Sequence, residues 1–368
     1  MLKVKLTKDQ EKSDLLKAIG SNKKEESMAA QEILANFTGP IIEQVLDQSA
    51  SSNLVYDTRT YDFGTTPSIP LDLYDGNEEG LISVWSQSMA GGLPTNLVHG
   101  MSDMRLTTYR LDSAVSFLKQ YARDARLDVV NKGIQRMAQE VLIKTERNAW
   151  APLLKALADS TDNAGEANLI DATTTDVFQV DDLNRLWTMI KRLRKSWVNG
   201  TPTTSVGQGL TDMVVSPEIV QQIRSFAYQP MNTRGAPDST ESTALALPDS
   251  VRSQFFTNSG VPEIFGVGLI ELLEFGVGEA YNVLFDSFFT ASGSEPTFDS
   301  ANDELVLGLD LSVDAFVRAA SSNPETNSTF TTEVDDQFVR RSDKWGWYGY
   351  VEEARAVLDS KATVGLIV

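Results

Sequence analysis

The sequence predicts an α+β protein. Three observations carry that reading. Apolar and polar side chains alternate in three runs between residues 54 and 117; from about residue 123 the apolar spacing changes to three and four; beyond residue 211 strand-like and helix-like stretches follow one another. On these patterns the chain divides into an N-terminal arm (1–52), a β-and-loop segment (53–122), a long helix with the loop after it (123–175), a mixed α/β region (176–338) and a closing segment (339–368).

The arm is basic on an otherwise acidic chain. Seven lysines (Lys3, Lys5, Lys8, Lys12, Lys17, Lys23 and Lys24) stand against three acids (Asp9, Glu11 and Asp14), a local charge of +4 where the whole carries −19. Such a stretch either is a solvated end or faces an anionic partner or scaffold. Residues 28–48 have apolar side chains at helical spacing, interrupted by Gly39-Pro40, which predicts two short helices with a break, since an interior proline removes a helix hydrogen bond. From Glu25 to Leu118 there is no lysine.

The stretches LVYDTRTYDF (54–63), LISVWSQSM (81–89) and MRLTTYRLDSAVSF (104–117) alternate, and the last two flank a Gly- and Pro-rich tip from Ala90 to Asp103. This predicts an extended hairpin with its tip at about 86–104. A two-stranded ribbon is only marginally stable alone, so it needs a neighbour to lie against. Leu127, Val130, Ile134, Met137 and Val141 then form one helical stripe, predicting a helix from Arg123 to Trp150 that continues past Pro152 to Ala158. Thirty or so residues at about 1.5 Å each give roughly 45 Å of helix, a backbone element for the whole subunit.

A loop from Ser160 to Asp176 follows, and then a second amphipathic helix with Leu183, Leu186, Trp187, Ile190, Leu193 and Trp197 on one face. TDMVVSPEIVQQIRSF (211–226) reads as a buried strand entering a helix, with Ser216 as N-cap and Pro217 at the first helical position. Alternation continues through EIFGVGLIELLEF (263–275) and DELVLGLDLSVDAFVRAA (303–320).

The ending, KWGWYGYVEEARAVLDSKATVGLIV (344–368), is unlike a frayed terminus. Trp345, Trp347, Gly349 and Val351 alternate with Gly346, Tyr348 and Tyr350, a strand bulky on both faces that needs packing on each.

Composition excludes several functions. With 368 residues, 41% of them hydrophobic, the chain can bury a sizeable core in two or three lobes. A pI near 4.5 opposes binding to a duplex or an anionic membrane. No cysteine is present, which removes disulfides, thiolate metal sites and cysteine nucleophiles. No signal peptide and no run of eighteen apolar residues is seen, so folding in a cytosol and no membrane partner are expected. His99, the one histidine, falls in the hairpin tip and reads as a surface residue, which leaves no histidine triad and no multi-histidine zinc set. FGVGLIE (265–271) lacks the third glycine of a dinucleotide turn. The acid pairs Asp181-Asp182, Asp335-Asp336 and Glu352-Glu353 read as structural or solvated in a chain with 51 acids, and the Asn-x-Ser/Thr matches at Asn36, Asn199 and Asn327 mean little without secretion. The expectation is therefore no catalytic residue, no cofactor, no metal and no enzyme.

The order of parts, an N-terminal arm, extended hairpin, long helix, mixed α/β domain and returning end, resembles the major capsid protein of tailed bacteriophages, a fold shared with encapsulins and the herpesvirus capsid floor. The ending DKWGWYGYVEEARAVLDSKATVGLIV, with MVVSPEIVQQI and LVLGLDLSVDAFV, carries the sharpest likeness. The resemblance implies a peripheral domain holding the hairpin (53–122) and the spine helix (123–175), an axial domain (176–338), and a return to the peripheral domain (339–368). It further implies self-assembly through pentamers and hexamers into an icosahedral shell, made in the host cell cytoplasm and found in the virion capsid, around double-stranded DNA held by weak non-specific contact. A portal protein and a separate scaffolding protein are implied as partners, with an added cement or decoration protein as a further one. Some capsids of this kind join a hairpin-tip lysine to a neighbour's asparagine; the lysine-free span from Glu25 to Leu118 implies a shell without that cross-link. An encapsulin compartment is the alternative, and a soluble carboxylate-based hydrolase the remote one.

Overall fold

A computed structural model describes residues 10–21, 23–70, 103–124, 126–161, 166–193, 209–225, 263–290, 296–322, 329–335 and 344–368. The expected strand 81–89, the hairpin tip up to residue 102, His99, Trp197, Asn199 and Asn327 lie outside the described residues. In chain order the elements are α1 (Gln10–Ile19), α2 (Lys24–Ser49), β1 (Asp57–Asp62), β2 (Ser68–Pro70), β3 (Asp103–Arg105), β4 (Tyr109–Leu118), α3 (Lys119–Arg123), α4 (Leu127–Asp159), β5 (Leu169–Asp171), α5 (Val180–Leu193), β6 (Asp212–Val215), α6 (Pro217–Ser225), β7 (Glu263–Ile264), β8 (Val267–Glu271), α7 (Ala280–Phe288), β9 (Leu305–Leu309), β10 (Phe316–Ser322), β11 (Phe330–Val334), β12 (Lys344–Val357) and β13 (Thr363–Ile367). They fall into two compact units. The first takes the chain up to Leu71, Ser102–Ala149 and Phe316–Ala356; the second, over its described residues, takes Trp150–Ala315 and Val357–Val368.

The first unit is built on a five-stranded sheet ordered β1-β10-β12-β11, with β4 also paired to β12. β1 runs parallel to β10, whereas β12 is antiparallel to both β4 (Trp345↔Phe117 through Glu353↔Tyr109) and β11 (Phe330↔Val351). The alternation in β12 resolves into two faces. Trp345, Trp347 and Val351 point inward with Phe117 and Phe330, against Val130, Ile134, Met137, Ala138 and Val141 of α4 and Ala30, Leu34 and Ile42 of α2. Tyr348 and Tyr350 are half-buried on the opposite face. Close approach is built in: a Cβ on Gly133 would meet the Phe117 ring at 2.4 Å, so only glycine lets α4 take that ring.

Two expectations change here. α2 is one continuous helix of 26 residues through Gly39 and Pro40, not two helices with a break. The carbonyl that Pro40 leaves without its helix donor belongs to Asn36, which is exposed, so water can serve it. Meanwhile the inward face is held by packing: Ile42 is fully buried, and the Ala35 carbonyl accepts from both Thr38 Oγ1 (3.0 Å) and Thr332 Oγ1 (2.6 Å) of β11. Tertiary burial outweighs the local proline cost. The arm also contributes more to the core than its charge implied, since Leu16 and Ile19 of α1 are buried in the same cluster and Arg123 Nε donates to the Gly20 carbonyl at 3.2 Å.

The second unit holds a six-stranded mixed sheet, β5-β13-β9-β6-β8-β7. β13 lies between β5, parallel, and β9, antiparallel. Leu183, Leu186, Ile190 and Leu193 of α5 and Ile219, Val220 and Ile223 of α6 cover Met213, Val215, Leu269, Val306, Val364 and Leu366, with Trp187 partly buried beside them. A second cluster joins Trp150, Phe275 and Tyr281, with the Trp150 and Phe275 rings edge-to-face at 6.2 Å. The closing segment is thus divided. β12 belongs to the first unit, and after the turn in which Asp359 Oδ1 accepts from Lys361 N, β13 completes the sheet of the second. The run TVGLI is buried at every position, so it has no polar face to mark its sheet in the sequence.

Candidate functional site

The acid pairs singled out in the sequence have distinct fates. Asp182 is the third residue of α5 and fully buried; its Oδ2 accepts from Gln179 N (3.0 Å), a carboxylate reaching back to the residue before the helix, while Oδ1 takes Thr173 N and Oγ1. It caps a helix. Glu352 accepts from Tyr61 Oη at 3.3 Å and is half-buried. Asp335 donates its backbone N–H to Gly346, and Asp336 lies outside the described residues.

Glu353 is the centre of a buried ionic cluster on the inner face of the first sheet. Its Oε2 accepts from Arg318 Nε at 2.8 Å and its Oε1 from Tyr109 Oη at 2.7 Å and Arg355 Nε at 3.3 Å. Arg355 also stands 5.1 Å above the Tyr56 ring, and the Tyr56 hydroxyl donates to the Ala149 carbonyl at 2.7 Å. Burial alone pushes the Glu353 carboxyl up, but Arg355 and Arg318 outweigh it and hold the group below the usual carboxylate range. Burial pushes the Tyr109 phenol well above its ordinary value, the adjacent Glu353 adding to the effect. A buried carboxylate bonded to two guanidinium groups and a phenol is a weak base held in place from three sides, so this cluster acts as a polar strut between β4, β10 and β12. The sequence held one signal for it: Arg318 in FVRAA and Glu353 and Arg355 in YVEEARAV are charges inside otherwise apolar strands.

A second buried carboxyl sits in the other unit. Ser216 is the N-cap of α6, its Oγ accepting from Ile219 N at 3.1 Å as the sequence predicts, and its hydroxyl donates to Glu304 at the start of β9. Burial, with Glu218 adding to it, pushes the Glu304 carboxyl up to about 7. The glycine-rich FGVGLIE stretch is a β-hairpin. Phe265 (φ 51°) and Gly266 (φ 81°) form the left-handed turn between β7 and β8, with no helix after it to receive a phosphate.

The surfaces carry apolar and aromatic groups that no described residue covers fully. In the second unit Leu273 (78% exposed), Val277 and Val283 stand out beside the anchored Phe275. In the first, Tyr350 has Arg110 Cζ 3.7 Å above its ring and donates to Glu333 at 3.2 Å; Tyr348 also donates to Glu333, which pushes its phenol up to about 12. Among the described residues no group of three or more acidic or histidine side chains could hold a metal ion, and no helix is long and apolar enough to cross a membrane.

No protein-family model matches the chain, and no curated protein matches it in sequence. A solved capsid of a native GTA particle matches it with a TM-score of 0.50 at 10% identity, over 87% of this chain and 90% of that one. The chain has a capsid-subunit fold. Other capsid-fold structures align more loosely: the capsid of cyanophage P-SCSP1u over 85% of this chain and 86% of that one (TM-score 0.48, 14% identity), and the holo-SrpI encapsulin from Synechococcus elongatus PCC 7942 over 72% and 75% (TM-score 0.41, 13% identity). In this capsid fold the Glu353 cluster lies inside the first unit and the Ser216–Glu304 contact inside the second.

Proposed function

We propose that the chain is the major capsid protein of a tailed bacteriophage, a non-enzymatic subunit that assembles with copies of itself into an icosahedral shell around double-stranded DNA. The observation that carries this reading is the match in fold to a solved capsid over nearly the whole of both chains. Fold alone does not dictate function, and the division of the chain and its charge agree with this role. The unit with α4 up to Ala149 and the β12 sheet takes the role of the peripheral domain, and the unit with the six-stranded sheet that of the axial domain that meets its equivalents in pentamers and hexamers. The acidic composition suits a container wall, because duplex DNA is repelled by it and held only by weak non-specific contact. A portal protein and a separate scaffolding protein are the partners this role calls for, with a cement protein as an optional addition.

The test is sedimentation velocity and electron microscopy of the purified chain. Rings of five or six subunits, or closed shells, are expected. A monomer of 40.4 kDa persisting over a wide concentration range would overturn the proposal.

A further inference from the structure

The junction around Glu304 has the construction of a proton-controlled latch. Glu304 is 7% exposed, and its backbone holds the last residue of the chain in both directions: Glu304 N donates to the Val368 carbonyl at 2.8 Å and Val368 N to the Glu304 carbonyl at 2.9 Å. Its side chain accepts from Ser216, whose Oγ in turn receives the Ile219 N–H that opens α6. One residue therefore joins the entrance of α6, through its carboxyl, to Val368, through its backbone, at the point where the chain enters β9.

Among the described residues, the charged groups around this carboxyl are acidic. α6 contributes Glu218 in its first turn, and Glu279, before α7, lies across Gly276 from Glu218. Asp303, next to Glu304, turns its carboxylate to Asp299 N at 2.8 Å. Among the described residues no lysine or arginine forms an ion pair with Glu304, Glu218, Glu279 or Asp303. A carboxylate taken out of water with no cation to receive it, opposite another glutamate, is costly; the neutral acid is not.

We propose that Glu304 is a proton-operated latch of the second unit: neutral, it holds α6, β9 and the chain end together, and its ionisation loosens that junction. The inference rests on this geometry and is independent of the shell reading. The rise of the carboxyl to about 7 places the change near neutrality. The sign is that of an acid with a raised folded pKa: the latch stabilises fully below the unfolded carboxylate range and fades as the pH climbs to about 7.

Hydrogen–deuterium exchange on the full chain, corrected for the intrinsic pH dependence of exchange, tests it. Protection over residues 216–223, 304–309 and 363–368 is expected to fall at least tenfold between pH 5 and pH 8.5. Glu304→Gln, which copies the neutral acid, is expected to keep high protection across that range. A flat wild-type profile, or a Glu304→Gln profile that follows the wild type, would overturn the latch. Should Glu304→Gln not fold, Glu218→Gln decides the matter: removing the repelling charge is expected to lower the midpoint by about half a pH unit or more, and an unmoved midpoint overturns the proposal.

Discussion

Replacing Glu353 by glutamine keeps the shape of the side chain and removes the charge that two buried guanidinium groups share. Arg355 has no exposed side-chain surface and Arg318 only 8%, so neither can turn to water for compensation. Removing one partner from a buried pair costs roughly 3–5 kcal/mol, because the remaining charge stays desolvated. No cavity is created, so the whole effect is electrostatic. At about 2–4 °C per kcal/mol for a domain of this size, the melting temperature is expected to fall by on the order of 10 °C. Differential scanning calorimetry at pH 7, with urea unfolding to confirm an unchanged m-value, measures it. The pH dependence supplies a second readout. Glu353 has a depressed folded pKa, so its contribution is present above the unfolded carboxylate range and lost as the pH falls through the folded value. Glu353→Gln is accordingly expected to be destabilised at neutral pH but to converge on the wild type under acid conditions. Replacing all three by apolar groups (Arg318→Met, Glu353→Leu and Arg355→Met) is expected to cost much less than the single change, since no buried charge is then left alone. A Glu353→Gln chain within about 1 kcal/mol of the wild type at pH 7 would refute the reasoning.

Further tests address packing, the arm and the shell. Gly346→Ala puts a Cβ 2.4 Å from the Val115 carbonyl oxygen and 3.0 Å from Ser116 Cα, backbone that cannot swing aside, and is expected to cost about 1–3 kcal/mol in the urea midpoint. Deleting Met1 to Lys24 removes the buried Leu16 and Ile19 together with seven lysines, so about 3–6 kcal/mol of hydrophobic burial is lost; lowered subunit stability and irregular assembly in micrographs are expected, and unchanged values for both would show that α1 is dispensable. Mature particles boiled in detergent are expected to give one band near 40.4 kDa, while a ladder of covalent multimers would show cross-linking despite the lysine-free span.

Where local periodicity decides structure, the fold was legible. Val130, Ile134, Met137 and Val141 at steps of three and four are the buried stripe of α4, and Ser216-Pro217 opens α6 as its residue types require. Where burial from distant segments decides, it was not. Pro40 reads as a break until β11 is seen against that helix. TVGLI shows no alternation because both faces are covered, so nothing local says which sheet receives it. The buried charges were hidden for the same reason: Glu353 meets Arg318 across 35 residues and Tyr109 across 244, and Glu304 meets Ser216 across 88. A lone charge in an apolar strand announces a buried partner without naming it.

The division of the closing segment bears on how the chain comes off the ribosome. The strand on which β4 and β11 align, and the strand that separates β5 from β9, both lie beyond residue 343, after every other strand of their sheets in chain order. Everything before residue 344 must therefore emerge before either hydrophobic core can close. A product that stops before Thr363 leaves the second sheet open between β5 and β9, and one that stops before Lys344 lacks both keystones. Synthesis through β13 becomes a precondition of folding, and chains that stop short of it, unable to present finished surfaces, are left to chaperones and proteases.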